Sequence, residues 1–311
     1  MSGLLTAEFA TSLISGSVTA AVPLLFAGLG EQISEKAGVL NIGIEGIMLA
    51  GAYAGFAAAY ASGAMWAGFV AGSLAGALVA APMAVFCVWL GANQIVTGIA
   101  LTLGLQGLTA LLHHFVFAQT YPRLPEPSHL SIPGLADIPV LGAGLFEQHP
   151  LAYVALLLCF ALTWVYRRTF LGLDLSAAGQ KPAALDAAGV SVVAIRSTAV
   201  LAMGALAGLG GAYLSEVSAG IFVPFMTNGS GFIGIVLAML ARGRPLWVLA
   251  GALLFGASLS MTTALQVAGV DVPTDVVQML PFAMVMLALV AFGRHDSLPA
   301  ALGLPYRRGA R

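Results

Sequence analysis

The side chains best suited to chemistry in an apolar setting fall in two glycine-rich stretches of this 311-residue chain. The first, residues 30–46, reads Gly-Glu-Gln-Ile-Ser-Glu-Lys-Ala-Gly-Val-Leu-Asn-Ile-Gly-Ile-Glu-Gly. It carries Glu31, Glu35, Lys36 and Glu45, yet no Asp, Glu, Lys or Arg occurs in the 22 positions before Glu31 or the 77 after Glu45. The second runs from Phe222 through Pro224, Phe225, Met226, Thr227, Asn228, Gly229, Ser230, Gly231 and Phe232 to Gly234. Carboxylates and amides in such places can hold a polar solute, carry a proton or cation, or satisfy backbone groups freed by a broken helix. A carboxylate deep in a membrane costs roughly 2.5–3.5 kcal/mol on insertion scales, so Glu45, well inside an apolar run, needs one of these uses. Glu216 lies at the outer end of another such run.

Covalent catalysis finds no support. The only lysines are Lys36, followed by Ala37, and Lys181, followed by Pro182, so no Gly-x-x-x-x-Gly-Lys-Ser/Thr phosphate loop exists and the chain reads as not an enzyme. His113, His114, His129, His149 and His295 form no His-Glu-x-x-His zinc helix, and no metal is expected. Asn228-Gly229-Ser230-Gly231 has the look of an intramembrane serine site, but no histidine follows it within a later span. Cys87 and Cys159 sit in apolar runs and read as small buried hydrophobes.

The elements that position these residues are membrane helices. At 59% hydrophobic and 8% charged, with mean hydropathy +0.97, the composition is far from that of a soluble domain. Charge-free runs approach or exceed the ~20 residues that cross a bilayer as a helix, and they are continuous rather than alternating, which excludes a barrel. The expectation is an all-α, polytopic helical membrane protein with a single domain over residues 1–311. About nine spans (eight to ten) are read, at 9–30, 39–60, 64–90, 92–117, 150–166, 197–215, 222–241, 246–267 and 274–293. The N-terminus lacks the basic region of a cleavable signal, so the first span is expected to be retained. Arg167, Arg168, Lys181 and Arg196 share one loop (about 168–196), Arg242 and Arg244 another, and Arg294, Arg307, Arg308 and Arg311 the tail (about 294–311). Basic residues mark the cytoplasmic side, which leaves the Pro-rich loop at about 118–149 outside and Glu31–Lys36 inside.

Three local patterns refine this outline. Pro182 suits the first position of a helix and Gly189 the left-handed position past its end, giving a two-turn helix in the 168–196 loop. So short a helix is marginal alone and makes sense packed against a partner, although an ordinary surface loop is the competing reading. Gly68, Gly72 and Gly76, Gly51 and Gly55, and Gly204 and Gly208 are spaced by four, as close helix packing in lipid requires. The Pro- and Gly-interrupted stretch 222–234 is the mark of a broken helix, and in transporters such breaks line the solute path. Asn41 before Gly46-Ile-Met-Leu-Ala50 faintly echoes Asn228 before Gly234-Ile-Val-Leu-Ala238.

Taken together, Ser34-Glu35-Lys36-Ala37-Gly38-Val39-Leu40-Asn41-Ile42-Gly43-Ile44-Glu45-Gly46, Ala205-Leu-Ala-Gly208-Leu-Gly-Gly-Ala212, Gly231-Phe-Ile233, Val272-Pro273 and Met279-Leu280-Pro281-Phe282 resemble permease subunits of ATP-binding-cassette importers. The superfamily is that of branched-chain amino acid, ribose and nucleoside permeases. Asn41-Ile-Gly-Ile-Glu45-Gly46 is similar to its nucleoside branch, where amino acid permeases read Asn-Phe-Ala-His-Gly-Glu and ribose permeases Asp-Leu-Ser-Val-Gly.

The resemblance implies an importer permease in a bacterial cytoplasmic (inner) membrane, with a cytoplasmic C-terminus. Its partners would be a second homologous permease, a cytoplasmic ATPase that binds the ATP, and an external substrate-binding lipoprotein; no cofactor or nucleic acid is implied. Asn41, Glu45, Phe225, Met226, Asn228 and Phe232 are expected to line the path for a nucleoside or related small polar solute. Gln180, Lys181, Pro182, Leu185, Asp186 and Gly189 would form the coupling helix on the ATPase. That loop usually reads Gly-Glu-Asn-Pro, whereas here it is Gly179-Gln180-Lys181-Pro182. The competing class is an ion-coupled secondary transporter or channel, in which Glu45 would be a proton or cation site.

Overall fold

A computed structural model describes residues 7–118, 120–267 and 298–307, with isolated positions at 279, 283, 286, 287 and 290. The expected ninth span, 274–293, otherwise lies outside the described residues, as do Val272-Pro273, Leu280-Pro281-Phe282, Arg294, Arg308 and Arg311. The helices are α1 Ala7–Lys36, α2 Ile44–Ser62, α3 Met65–Met83, α4 Gln94–Phe117, α5 Leu141–Leu145 and α6 Pro150–Arg168. They continue as α7 Phe170–Gln180, α8 Pro182–Ala187, α9 Val192–Tyr213, α10 Ser230–Ala241 and α11 Pro245–Val267. Two strands, β1 Leu130–Ser131 and β2 Glu147–Gln148, pair antiparallel, so the 118–149 segment is not wholly irregular and the fold is mostly rather than strictly helical.

The helix boundaries follow local chemistry. Asn93 Oδ1 accepts from the N–H groups of Ile95 (2.9 Å) and Val96 (3.1 Å) to open α4. Ser191 caps α9 through Ala194 N (3.3 Å), and Gly63, at φ 70°, closes α2. α3 and α9 each run on into a wide π turn, 84–89 and 214–218, that the apolar pattern did not reveal.

Among the described residues, six helical stretches are long and apolar enough to cross a membrane: 8–36, 44–62, 65–89, 94–117, 150–168 and 192–218. The apolar stretches Ser230–Ala241 and Pro245–Met261 are shorter. The expected span at 222–241 is therefore corrected to a half-helix. Its first part is unwound, and the remaining 12 residues rise only about 18 Å against a hydrocarbon core of ~30 Å.

α1, α2, α3 and α9 form the centre. The glycine rows meet there as their spacing predicts. A Cβ on Gly72 would lie 2.8 Å from the Gly51 carbonyl oxygen, and one on Gly76 2.7 Å from Gly208 Cα. Backbone thus touches backbone across three helices, which only glycine permits. At one end of α1, Gln148 Nε2 donates to Gly144 O (2.7 Å) and Ser15 Oγ (3.2 Å), tying the 118–149 segment down. At the other end Lys36 lies beside Arg242, Gly243, Ser176 and Gln180. Basic segments and the 118–149 segment thus occupy opposite ends of the molecule.

Candidate functional site

Where α1 ends, the chain must turn inside the protein, and residues 37–43 leave the helical hydrogen-bond ladder. Buried N–H groups there need other acceptors. Glu31 Oε1 accepts from Asn41 N (3.0 Å), Gln94 Oε1 from Leu40 N (2.9 Å), and Asn41 Oδ1 from Gly43 N (2.9 Å). Asn41 is fully buried, with its Nδ2 against Met203 Sδ at 3.9 Å. Its side chain is committed to shaping the turn that launches α2.

The second break lies between α9 and α10. Gly220, Phe225, Asn228 and Gly229 all have positive φ, at 67°, 65°, 42° and 86°. Phe225 and Asn228 are held there against the preference of side chains with a Cβ, a strain that persists only when neighbours fix it. Glu45 supplies the fixing: Oε1 accepts from Gly229 N at 2.8 Å and Oε2 from Gly231 N at 2.7 Å. A carboxylate at the N-terminus of α10 satisfies two of its free N–H groups and opposes the positive end of the helix dipole. Gly231 permits the approach, because a Cβ there would fall 2.6 Å from Glu45 Cα. An acid of the first break is thereby the clamp of the second.

The six expected path residues split in two. Asn41 and Glu45 are buried. Phe225 (54% exposed), Phe232 (42%) and Asn228 present outward, with Met226 half-buried against a cluster of Leu49, Phe56, Phe117 and Phe222. Tyr53, His113 and Tyr121 join that aromatic cluster, with ring centroids of Tyr53–Phe222 at 5.2 Å and His113–Tyr121 at 5.2 Å. Sequence reasoning passed over Glu31 as an acceptor and Gln94 altogether, and weighed His113 only as a zinc ligand. The available signal was an isolated polar residue in an apolar helix, the same one that drew notice to Glu45. Glu216, read as lying at the end of a span, is buried in the π turn after α9. Neither carboxylate oxygen has a hydrogen-bond partner among the described residues.

The segment 168–196 is two helices rather than a loop. α8 begins on Pro182 and closes before Gly189, at φ 85°. Gln180, Lys181 and Gly189 are exposed and Pro182 and Asp186 half-buried. Leu185 faces inward, packed with Ala178 and Val192 and against Tyr306. Arg196, read from sequence as a loop cation, is instead a buried staple at the start of α9. It donates to three carbonyls: Ala37 (3.1 Å), Leu304 (2.8 Å) and Ala178 (3.0 Å). Ala301 N to Gly179 O (2.8 Å) and Gly303 N to Gly38 O (3.1 Å) complete the tie. The tail segment, α7, α8 and the 37–43 turn form one platform.

An unwound break in a bundle of apolar helices, with the short helix α8 packed on a platform at the basic end, fits a membrane transport subunit. The chain belongs to the family described as branched-chain amino acid transport system / permease component, whose profile matches residues 13–289. It is a permease component, not an enzyme, and the ATPase of such systems is a separate subunit. It is 33% identical over 312 residues to the guanosine ABC transporter permease protein NupQ of Bacillus subtilis, covering 96% of this chain and 97% of that one. It is 30% identical over 304 residues to the nucleoside ABC transporter permease protein NupC of Lactococcus lactis subsp. cremoris, covering 94% and 96%. It is also 38% identical over 251 residues to TsgC13 of Haloferax volcanii, provisionally named a glucose ABC transporter permease protein, covering 80% and 76%. No solved structure matches the chain.

Proposed function

We propose that this chain is a membrane subunit of an ABC importer that passes nucleosides or closely related small polar solutes across a bacterial cytoplasmic membrane. The observation that carries the reading is the Glu45 clamp on the 225–231 break. It holds Phe225, Asn228 and Phe232 at an unwound segment, where phenyl rings can stack on a base and an amide can bond ribose hydroxyls or base edges. Asn41 and Glu45 act behind this surface by shaping it. The nucleoside permeases NupQ and NupC, aligned over nearly the full chain, favour that cargo over the sugar of TsgC13.

In this reading the basic end faces the cytoplasm, about nine spans are completed by the C-terminal region, and α8 is the coupling helix on an ATPase. Outward-facing Gln180 and Lys181 meet the ATPase, while Leu185 and Arg196 tie α8 and α7 to the 37–43 turn. Movement of α8 then reaches α2, and through Glu45 the start of α10. A second homologous permease completes the path, and an external binding lipoprotein delivers the solute.

Uptake of labelled guanosine into vesicles holding the reconstituted complex tests this. Uptake should require ATP and ignore an imposed proton gradient. Uptake that follows the gradient and ignores ATP would make the chain a secondary transporter and overturn the proposal. Asn228→Ala should raise the KM for guanosine without loss of membrane expression; an unchanged KM removes Asn228 from the path.

A further inference from the structure

A groove of about 230 Å³ opens at the basic end, where the end of α6, the end of α1 and the start of α11 converge. Its lining includes Lys36, Arg167 and Arg244, and no acidic residue. Arg167 and Arg244 are exposed, and their guanidinium groups have no partner among the described residues. Lys36 Nζ sits 4.7 Å above the Tyr166 ring, and the Tyr166 hydroxyl lacks a hydrogen-bond partner among the described residues. Glu35 offsets part of the Lys36 charge from behind the groove, but the lining offers no acid to Arg167 and Arg244, whose mutual repulsion an anion would relieve.

The other wall says which anion. Leu246 and Trp247 are 43% and 54% exposed at the start of α11. The groove is continuous with the outward apolar row of α6, where Leu157, Phe160 and Trp164 are exposed directly above Arg167. Exposed tryptophans beside arginines, at the end of an apolar helix face, are the pattern of a membrane–water interface. We propose that this groove binds the phosphate of an anionic phospholipid, with Arg167, Arg244 and Lys36 around the phosphodiester and the acyl chains lying along Leu246, Trp247 and the α6 row. Basic pockets between membrane helices bind such headgroups. A soluble phosphate would gain nothing from the apolar wall, which is why the lipid is the assigned occupant. Because Lys36 ends α1 immediately before the 37–43 turn, lipid occupancy would also steady the platform under α8.

Native mass spectrometry of the detergent-purified complex, titrated with dioleoyl phosphatidylglycerol or dioleoyl phosphatidylcholine, tests this. Phosphatidylglycerol should bind in preference, and the double variant Arg167→Gln/Arg244→Gln should weaken it about thirtyfold, with phosphatidylcholine unaffected. Arg167→Lys/Arg244→Lys, which keeps the charge, should retain the preference and guards against a folding defect. Equal binding of the two lipids, or a preference untouched by the glutamine variant, overturns the proposal. So does competition by excess inorganic phosphate that displaces phosphatidylglycerol completely, which would mark a soluble-anion site. Loss of the ATPase from the glutamine variant with lipid preference intact would reassign the groove to that subunit.

Discussion

Glu45 has the form of a cargo ligand and the geometry of a clamp. Both oxygens are spent on backbone N–H groups of the α10 entry, at 2.8 and 2.7 Å. Hydrogen bonds to a charged group contribute about 1.5–3 kcal/mol each, and a buried donor left alone is costly. Glu45→Ala should therefore lower the melting temperature of the detergent-solubilised protein and abolish uptake together. Glu45→Gln, which can accept from only one of the two donors, should fall between the alanine variant and the parent in both. A Glu45→Ala protein that melts as the parent does while its KM rises would instead make Glu45 a direct solute contact. Sequence fixed on this residue for the right physical reason, an acid too deep in lipid to be idle. It could not name the partners, because Gly229 and Gly231 lie 184 and 186 positions away.

At the scale of elements, close helix packing and helix entry decide the outcome. Gly208 on α9 has Gly76 N at 3.0 Å and Gly76 Cα at 2.8 Å from where a Cβ would sit, and the Gly72 carbonyl closer still. Gly208→Ala must push α9 from α3, and we expect sharply reduced folded yield by fluorescence-detected size exclusion. Gly104 on α4 has nothing within 4 Å of that position, so Gly104→Ala should be neutral or stabilise by about 0.5–1 kcal/mol. Equal yields for the two variants would contradict the packing described. The entry to α6 supplies a pH dependence. His149 Nδ1 accepts from Leu151 N at 3.2 Å and so must be neutral. Burial, with His129 as the lesser cause, pushes its pKa down to about 4. The folded value lies below the ordinary ~6.5, so this contribution is complete above pH 6.5 and is lost as the pH falls from there towards 4. The melting temperature should drop over that window in the parent, and His149→Asn, which keeps a capping oxygen, should flatten the drop.

For the whole molecule, the platform beneath α8 is held from three distant parts of the chain by Arg196. Removing residues from 298 onward deletes the Leu304 acceptor and the Ala301 and Gly303 ties. Such a truncated protein should still reach the membrane, but trypsin should cut at Arg167 and Arg168 many-fold faster than in the parent, read by intact mass. An unchanged digestion pattern would show that the tail is not part of the platform.

Composition and the continuity of its apolar runs determined the membrane-helical class, because backbone in lipid is satisfied only in helices or a closed barrel, and a barrel needs alternation. Local signals also sufficed for the α8 boundaries, where Pro182 and Gly189 carry their own backbone preferences, and for the glycine rows, whose period of four is a property of the helix. Tertiary structure decided what long-range pairing controls. It shortened the expected span at 222–241 to α10, because Glu45, from a remote segment, holds the unwound entry by two hydrogen bonds. It turned Leu185 and Arg196 inward, because their partners Tyr306, Leu304 and Ala37 come from remote segments. It also assigned Asn41 and Glu45 to shaping the break rather than facing outward from it. A sequence shows which residues cannot be idle in lipid; only the fold, by bringing donors and acceptors together, shows what occupies them.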